Sequence, residues 1–120
     1  MKNVRAKIGI LILLTVTLLT ACIEKDYVFF GESENWRVQY TVTDDDGCNS
    51  TKGYIKYLGN DPMPEQLEFS VDKVEGASIS LDENGMFFLP HGCSNATEGS
   101  ELKANIKWEN QSETIQLPLK

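Results

Sequence analysis

Three cysteines, one histidine and a run of three aspartates carry the most distinctive chemistry of this 120-residue chain. Cys48 and Cys93 stand 45 residues apart. A bond between them would restrict the unfolded chain by about 4 kcal/mol in the loop-entropy model, a large share of a small domain's stability. The expectation is a disulfide between two loops, with two free thiols or a metal site as alternatives. His91-Gly92-Cys93 is where a Cys/His nucleophile or a soft-metal site would begin. Zinc needs three or four protein ligands, and one His with two unmodified Cys would have to recruit carboxylates. His91 is too close in sequence to Cys93 to be assumed to face it, and no orienting group is identifiable. A packed or surface loop His is the plainer reading. Asp44, Asp45 and Asp46, followed by Gly47 and Asn49, gather the hard oxygen ligands that calcium prefers. Their spacing departs from the alternating ligands, central Gly and distal Glu of an EF-hand loop, so a solvated turn is favoured. The acid pairs Glu32 with Glu34 and Asp82 with Glu83 would serve a glycosidase only at the right separation in space. No Gly-rich phosphate loop, Ser/His/Asp set or basic aromatic platform is visible. Asn49-Ser50-Thr51, Asn95-Ala96-Thr97 and Asn110-Gln111-Ser112 match a glycosylation pattern, but their neighbours make them polar turns.

The third cysteine has a different setting. Lys2, Arg5 and Lys7 form a basic stretch, Ile8 to Leu19 an apolar one, and Leu19, Thr20 and Ala21 lead directly into Cys22. About 12 apolar residues in a helix reach about 18 Å, short of the roughly 30 Å hydrocarbon core, so cleavage fits better than a permanent span. An ordinary signal peptidase would want a small residue where Leu19 stands. The segment resembles the lipobox of bacterial lipoproteins, and that resemblance implies a diacylglyceryl group on the Cys22 thiol, removal of residues 1–21 and acylation of the new N-terminus. Two or three acyl chains, at about 0.8 kcal/mol per buried methylene, make a stable anchor.

Cleavage before Cys22 would leave 99 residues, enough for one domain and too few for two. The leader removes three basic residues and no acidic ones, so the formal charge moves from -7 to -10. That field argues against nucleic acid and against lying flat on an anionic lipid surface. It favours solubility and cationic partners.

The remainder alternates with period two. Ile23 to Tyr27 reads as a polar tether, and Val28, Phe29 and Phe30 as an edge strand or apolar strap. Trp36, Val38, Tyr40 and Val42 then share one face of a half-buried strand. Ile55 and Tyr57 share the next, before Gly59, Asn60, Asp61, Pro62 and Pro64 break the chain. Leu67, Phe69 and Val71 follow, and a turn around Glu75 and Gly76 leads to Ala77, Ile79 and Leu81. Asn84-Gly85 is the best hairpin signal, joining the Ile79 strand to the run Met86 to Leu89, whose two apolar faces suit a central strand. A last hairpin places Leu102, Ala104, Ile106 and Trp108 against Ile115 and Leu117, with its turn at Glu109 to Ser112. Six to eight strands and no helical period predict an immunoglobulin-like antiparallel β-sandwich, with a small barrel as the alternative. The cysteines do not follow the antibody pattern, so the likeness to immunoglobulins is architectural.

Gly31-Glu32-Ser33-Glu34-Asn35-Trp36, with Val38 and Tyr40, is similar to a stretch after the lipid-modified cysteine in small lipoproteins of Bacillus-type bacteria. The likeness continues through Tyr57-Leu58-Gly59 and Leu81-Asp82-Glu83-Asn84-Gly85. It favours a single-membrane envelope and transfers no catalytic residue; in a two-membrane cell Ile23 after the cysteine, in place of an Asp retention signal, would instead favour the outer membrane. The expected organisation is a signal peptide at 1–21, a lipid-anchored tether at 22–30 and a β-sandwich at 31–120. The expected role is that of a non-enzymatic binding module on the extracytoplasmic face of the cell membrane. It would use no cofactor and engage an envelope protein or polymer, not nucleic acid. An envelope enzyme using loop carboxylates and a calcium-stabilised structural module are the alternatives.

Overall fold

Trp36, Val38, Tyr40 and Val42 are completely buried while Arg37 and Gln39 between them are not, so the period-two pattern produces the expected strand, with Thr41 buried as the exception on its other face. The computed structural model describes residues 25–44 and 47–120. Within them lie β1 Lys25–Glu32, β2 Trp36–Asp44, β3 Asn49–Tyr57, β4 Leu67–Val71, β5 Val74–Ile79, β6 Met86–Phe88, β7 Gly92–Ser94, β8 Leu102–Trp108 and β9 Gln111–Leu117. One antiparallel sheet runs β1-β2-β3-β6, with β7 also on β3, and the other runs β5-β4-β8-β9. Their apolar faces meet in a core that includes Phe29, Trp36, Ile55, Phe69, Ile106 and Leu117. This is a β-sandwich and not a closed barrel. The described residues hold nine strands because Met86–Phe88 and Gly92–Ser94 pair with opposite ends of β3 as separate three-residue strands.

One edge of the sandwich is laced. After β9 the chain returns to β1, where Phe30 N donates to Pro118 O at 3.0 Å and Lys120 N donates to Val28 O at 2.7 Å. Phe29 and Leu119 form a bridge between them. Gly31 makes this approach possible, because a Cβ there would overlap the Gln116 carbonyl oxygen. Val28, Phe29 and Phe30 form the edge strand expected of them, and Lys25 to Tyr27, read above as tether, extend it, so the folded domain begins before the expected bound at 30: the strand pairs with β2 from Lys25↔Asp44 onward, and Phe29 is fully buried. The burial of one aromatic ring and the backbone ladder outweigh the polar character of Lys25 and Asp26.

Three local expectations are corrected. The Asn84-Gly85 turn forms, with Gly85 at φ 74° and Gly85 N donating to Asp82 O at 3.0 Å. It joins no hairpin, because β5 and β6 lie in different sheets. A bulge in β5, marked by the register shift against β4 and by Ser78 at φ 56°, bends the chain before Leu81, and it crosses to the open edge of β3. The Met86 to Leu89 run is consequently an edge, with Phe87 against Phe69 inside and Phe88 64% exposed. The turn expected at Glu75 and Gly76 falls at Asp72-Lys73, with Asp72 at φ 53°, and the same bulge leaves Ala77 exposed. The final hairpin forms as expected, tightened to two turn residues, Glu109 and Asn110, both at positive φ.

Candidate functional site

Cys48 and Cys93 are bonded, their Cα atoms 5.5 Å apart. Cys93 is not in a loop but in β7, opposite Ser50, so the bond fastens the segment entering β3 to its short partner strand. Asn49, expected in a turn, likewise begins β3. His91 is exposed beside this bond, and among the described residues no three His, Cys, Asp or Glu side chains converge as metal ligands. Asp44 is the exposed end of β2. Asp45, Asp46 and the leader residues Leu19, Thr20, Ala21 and Cys22 lie outside the described residues. The members of each acid pair differ in role. Glu32 accepts from Arg37 Nε at 2.7 Å, and that contact raises the guanidinium pKa. Asp82 Oδ1 accepts from the backbone N–H groups of Asn84 and Met86, both at 2.9 Å, and so holds the Gly85 turn. Glu34 and Glu83 are exposed.

Two clusters that sequence reading does not assemble occupy opposite ends of the sandwich. At the disulfide end, Asp72 on the β4–β5 turn reaches the other sheet. Its Oδ2 accepts from Ser94 Oγ at 2.6 Å and from the Tyr40 hydroxyl at 3.0 Å. Ser94 Oγ in turn accepts from Ala96 N at 2.9 Å, and Thr51 Oγ1 accepts from Gly92 N at 3.1 Å. Burial pushes the Tyr40 phenol above its ordinary pKa, with the Asp72 charge acting in the same direction. At the other end, Trp36 packs edge-on against Trp108 with ring centroids 5.3 Å apart and against Tyr57 at 5.1 Å. Glu113 comes to this cluster from β9, its Oε2 accepting from Asn35 Nδ2 at 2.7 Å. Trp36 Nε1 and Glu113 Oε1 are buried there without a hydrogen-bond partner among the described residues. The Tyr57 phenol is also raised, by burial first and then by the charges of Asp61, Glu109 and Glu113.

The outer faces of the two sheets differ as well. Across β4, β8 and β9 the outer face is a polar ladder, in which Thr114 Oγ1 donates to Asn105 Oδ1 at 2.7 Å and Asn105 Nδ2 donates to Ser70 Oγ at 3.4 Å. Across β1, β2, β3 and β6 the register puts Phe30 opposite Gln39, Gln39 opposite Tyr54, and Tyr54 opposite Phe88. Directly paired residues share a face, so three aromatic rings form one row on the outside of this sheet. Lys52 and Lys56 flank Tyr54 on β3, and Lys120 Nζ lies 5.0 Å from the centre of the Phe30 ring. The basic aromatic platform absent from the linear sequence is thus built from four strands and the C-terminal residue. The period-two positions of each strand were its only signal. Comparison with family models, with curated proteins and with solved structures finds no match to this chain.

Proposed function

We propose that this protein is a lipid-anchored, non-enzymatic binding module held on the extracytoplasmic face of the cell membrane through Cys22. The observation that carries the reading is the order of the N-terminal parts. A basic stretch, an apolar stretch and Leu19-Thr20-Ala21-Cys22 are followed after only Ile23 and Glu24 by β1, the first strand of a disulfide-bonded sandwich. A disulfide persists where the surroundings are oxidising, which accords with export. The recognisable carboxylates support binding over catalysis, since Glu32 and Asp82 are engaged in a surface ion pair and a turn. β5, at the unlaced margin of its sheet, offers an edge to an envelope protein or polymer.

Crosslinking in intact cells, followed by identification of what is bound, tests this. The expected result is recovery of the chain in the membrane fraction with a partner whose yield is unchanged in Glu34→Gln and Asp82→Asn. In Cys22→Ser the precursor should accumulate with its leader attached. A hydrolytic activity abolished by either carboxylate substitution would replace the binding reading with an enzyme, and normal processing of Cys22→Ser would remove the anchor.

A further inference from the structure

We infer that the outer face of the β1-β2-β3-β6 sheet is a second membrane contact, which lays the domain against an anionic phospholipid surface; this inference rests on the lipid anchor at Cys22. The row Phe30, Gln39, Tyr54, Phe88 crosses the whole sheet, and with strands about 4.8 Å apart its two end rings stand about 14 Å from each other. Phe88 is 64% exposed, a large apolar side chain left in water by the folded domain. Around the row stand Arg37, Lys52, Lys56 and Lys120, against the acids Asp26 and Glu32 at the two ends of β1. Both acids are engaged: Glu32 accepts from Arg37 and Asp26 from Thr43 Oγ1 at 2.8 Å. In a chain of formal net charge -7, the four cations and two acids named on this face leave it a positive surplus of two.

Aromatic rings between lysines suit the headgroup layer, where rings enter the apolar boundary and ammonium groups meet lipid phosphates. The anchor supplies the proximity. Only Ile23 and Glu24 separate Cys22 from Lys25, so the first residue of β1 lies within about 11 Å of an acylated cysteine however the chain runs between them. A domain held that close to a charged surface is oriented by its own charge asymmetry, and the acidic remainder of this one turns outward. The sequence-based expectation that the acidic chain would avoid lying on anionic lipid rests on its average charge, from which this face departs.

The test uses the acylated chain in vesicles of phosphatidylcholine, alone or mixed with phosphatidylglycerol, with brief lysine acylation read residue by residue. Lys103 and Lys107, exposed on the outer face of the opposite sheet, are the internal reference. The expected result is that Lys52 and Lys56 react roughly threefold or more slowly than the reference in phosphatidylglycerol vesicles, and that Phe88→Ser or added salt removes most of that protection. Equal reactivity of both pairs on vesicle-bound protein overturns the orientation and leaves the anchor standing. Failure of the chain to remain with vesicles overturns the anchor and this inference with it. Protection of Lys52 and Lys56 by a soluble acidic glycan, and not by phosphatidylglycerol, overturns the bilayer assignment in favour of a polymer.

Discussion

The two ends of the sandwich are held in different ways. At one, a covalent bond joins Cys48 to Cys93, and one carboxylate, Asp72, takes two hydroxyl hydrogen bonds from the facing sheet. At the other, three aromatic rings meet around Trp36, while Trp36 Nε1 and Glu113 Oε1 lie buried without partners among the described residues. The first end is specified by directional contacts and a crosslink. The second depends on shape and apolar burial, and it carries a polar cost. Losses at the tryptophan end should scale with side-chain volume, and losses at the disulfide end with connectivity.

Trp36→Ala should be the most damaging change, at about 5 kcal/mol, because it empties a fully buried site that contacts two other rings. Chemical denaturation would measure it, and a loss below about 2 kcal/mol would mean that the aromatic cluster is not what holds that end. Replacing both Cys48 and Cys93 by Ser should cost about 4 kcal/mol by releasing the unfolded chain across 45 residues. Asp72→Ala should cost about 2 kcal/mol, since the buried Ser94 hydroxyl and the Tyr40 phenol lose a charged acceptor. If the crosslink and the carboxylate act on the same inter-element contact, the Cys and Asp72 losses will fall short of additive in a combined variant.

The raised Tyr40 pKa gives a pH dependence of defined sign. The folded state retains the phenol proton longer than the unfolded state does, so this contribution to stability is fully present below pH 10.0, the unperturbed value. It is lost as pH rises from there through the higher folded-state pKa. Tyr40→Phe should be less stable near neutrality and should show a shallower decline in alkali. Parallel curves for the two proteins would remove Tyr40 as the cause. Glu113→Gln should have the smallest effect, a gain of under about 1 kcal/mol, because a neutral amide keeps an acceptor for Asn35 and removes one negative charge from beside Asp61, Glu109 and the Tyr57 phenol. A loss above 1 kcal/mol would show the carboxylate to be paired in solution.

Much of the architecture is legible in the chain because sheets bury alternate residues. Trp36 to Val42 and Leu67 to Val71 bury the alternate residues their pattern nominates, Ala104, Ile106 and Trp108 do the same with Leu102 only partly buried, and the Cys48–Cys93 bond forms as expected. What sequence could not supply was partner choice. Asn84-Gly85 announces a turn, but a turn signal does not say that a bulge at Ser78 will send the chain to the other sheet. Lys25 and Asp26 look like linker because their polarity is local, whereas the ladder that recruits them is made by β2 and the return of Pro118 to Lys120. The same limit hid the candidate surface. Phe30, Tyr54 and Phe88 are far apart in the chain and become a row only through strand register. Asp72 is a surface acid by composition, and its role as the tie between sheets exists only once Tyr40 and Ser94 converge on it.

Intact-mass analysis of the protein isolated from its own membranes tests the central claim most directly. The account predicts a chain of residues 22–120 carrying a diacylglyceryl thioether on Cys22, with or without a further acyl group on its nitrogen. A mass that retains Met1, or that of a shortened chain bearing no fatty acid, would contradict it.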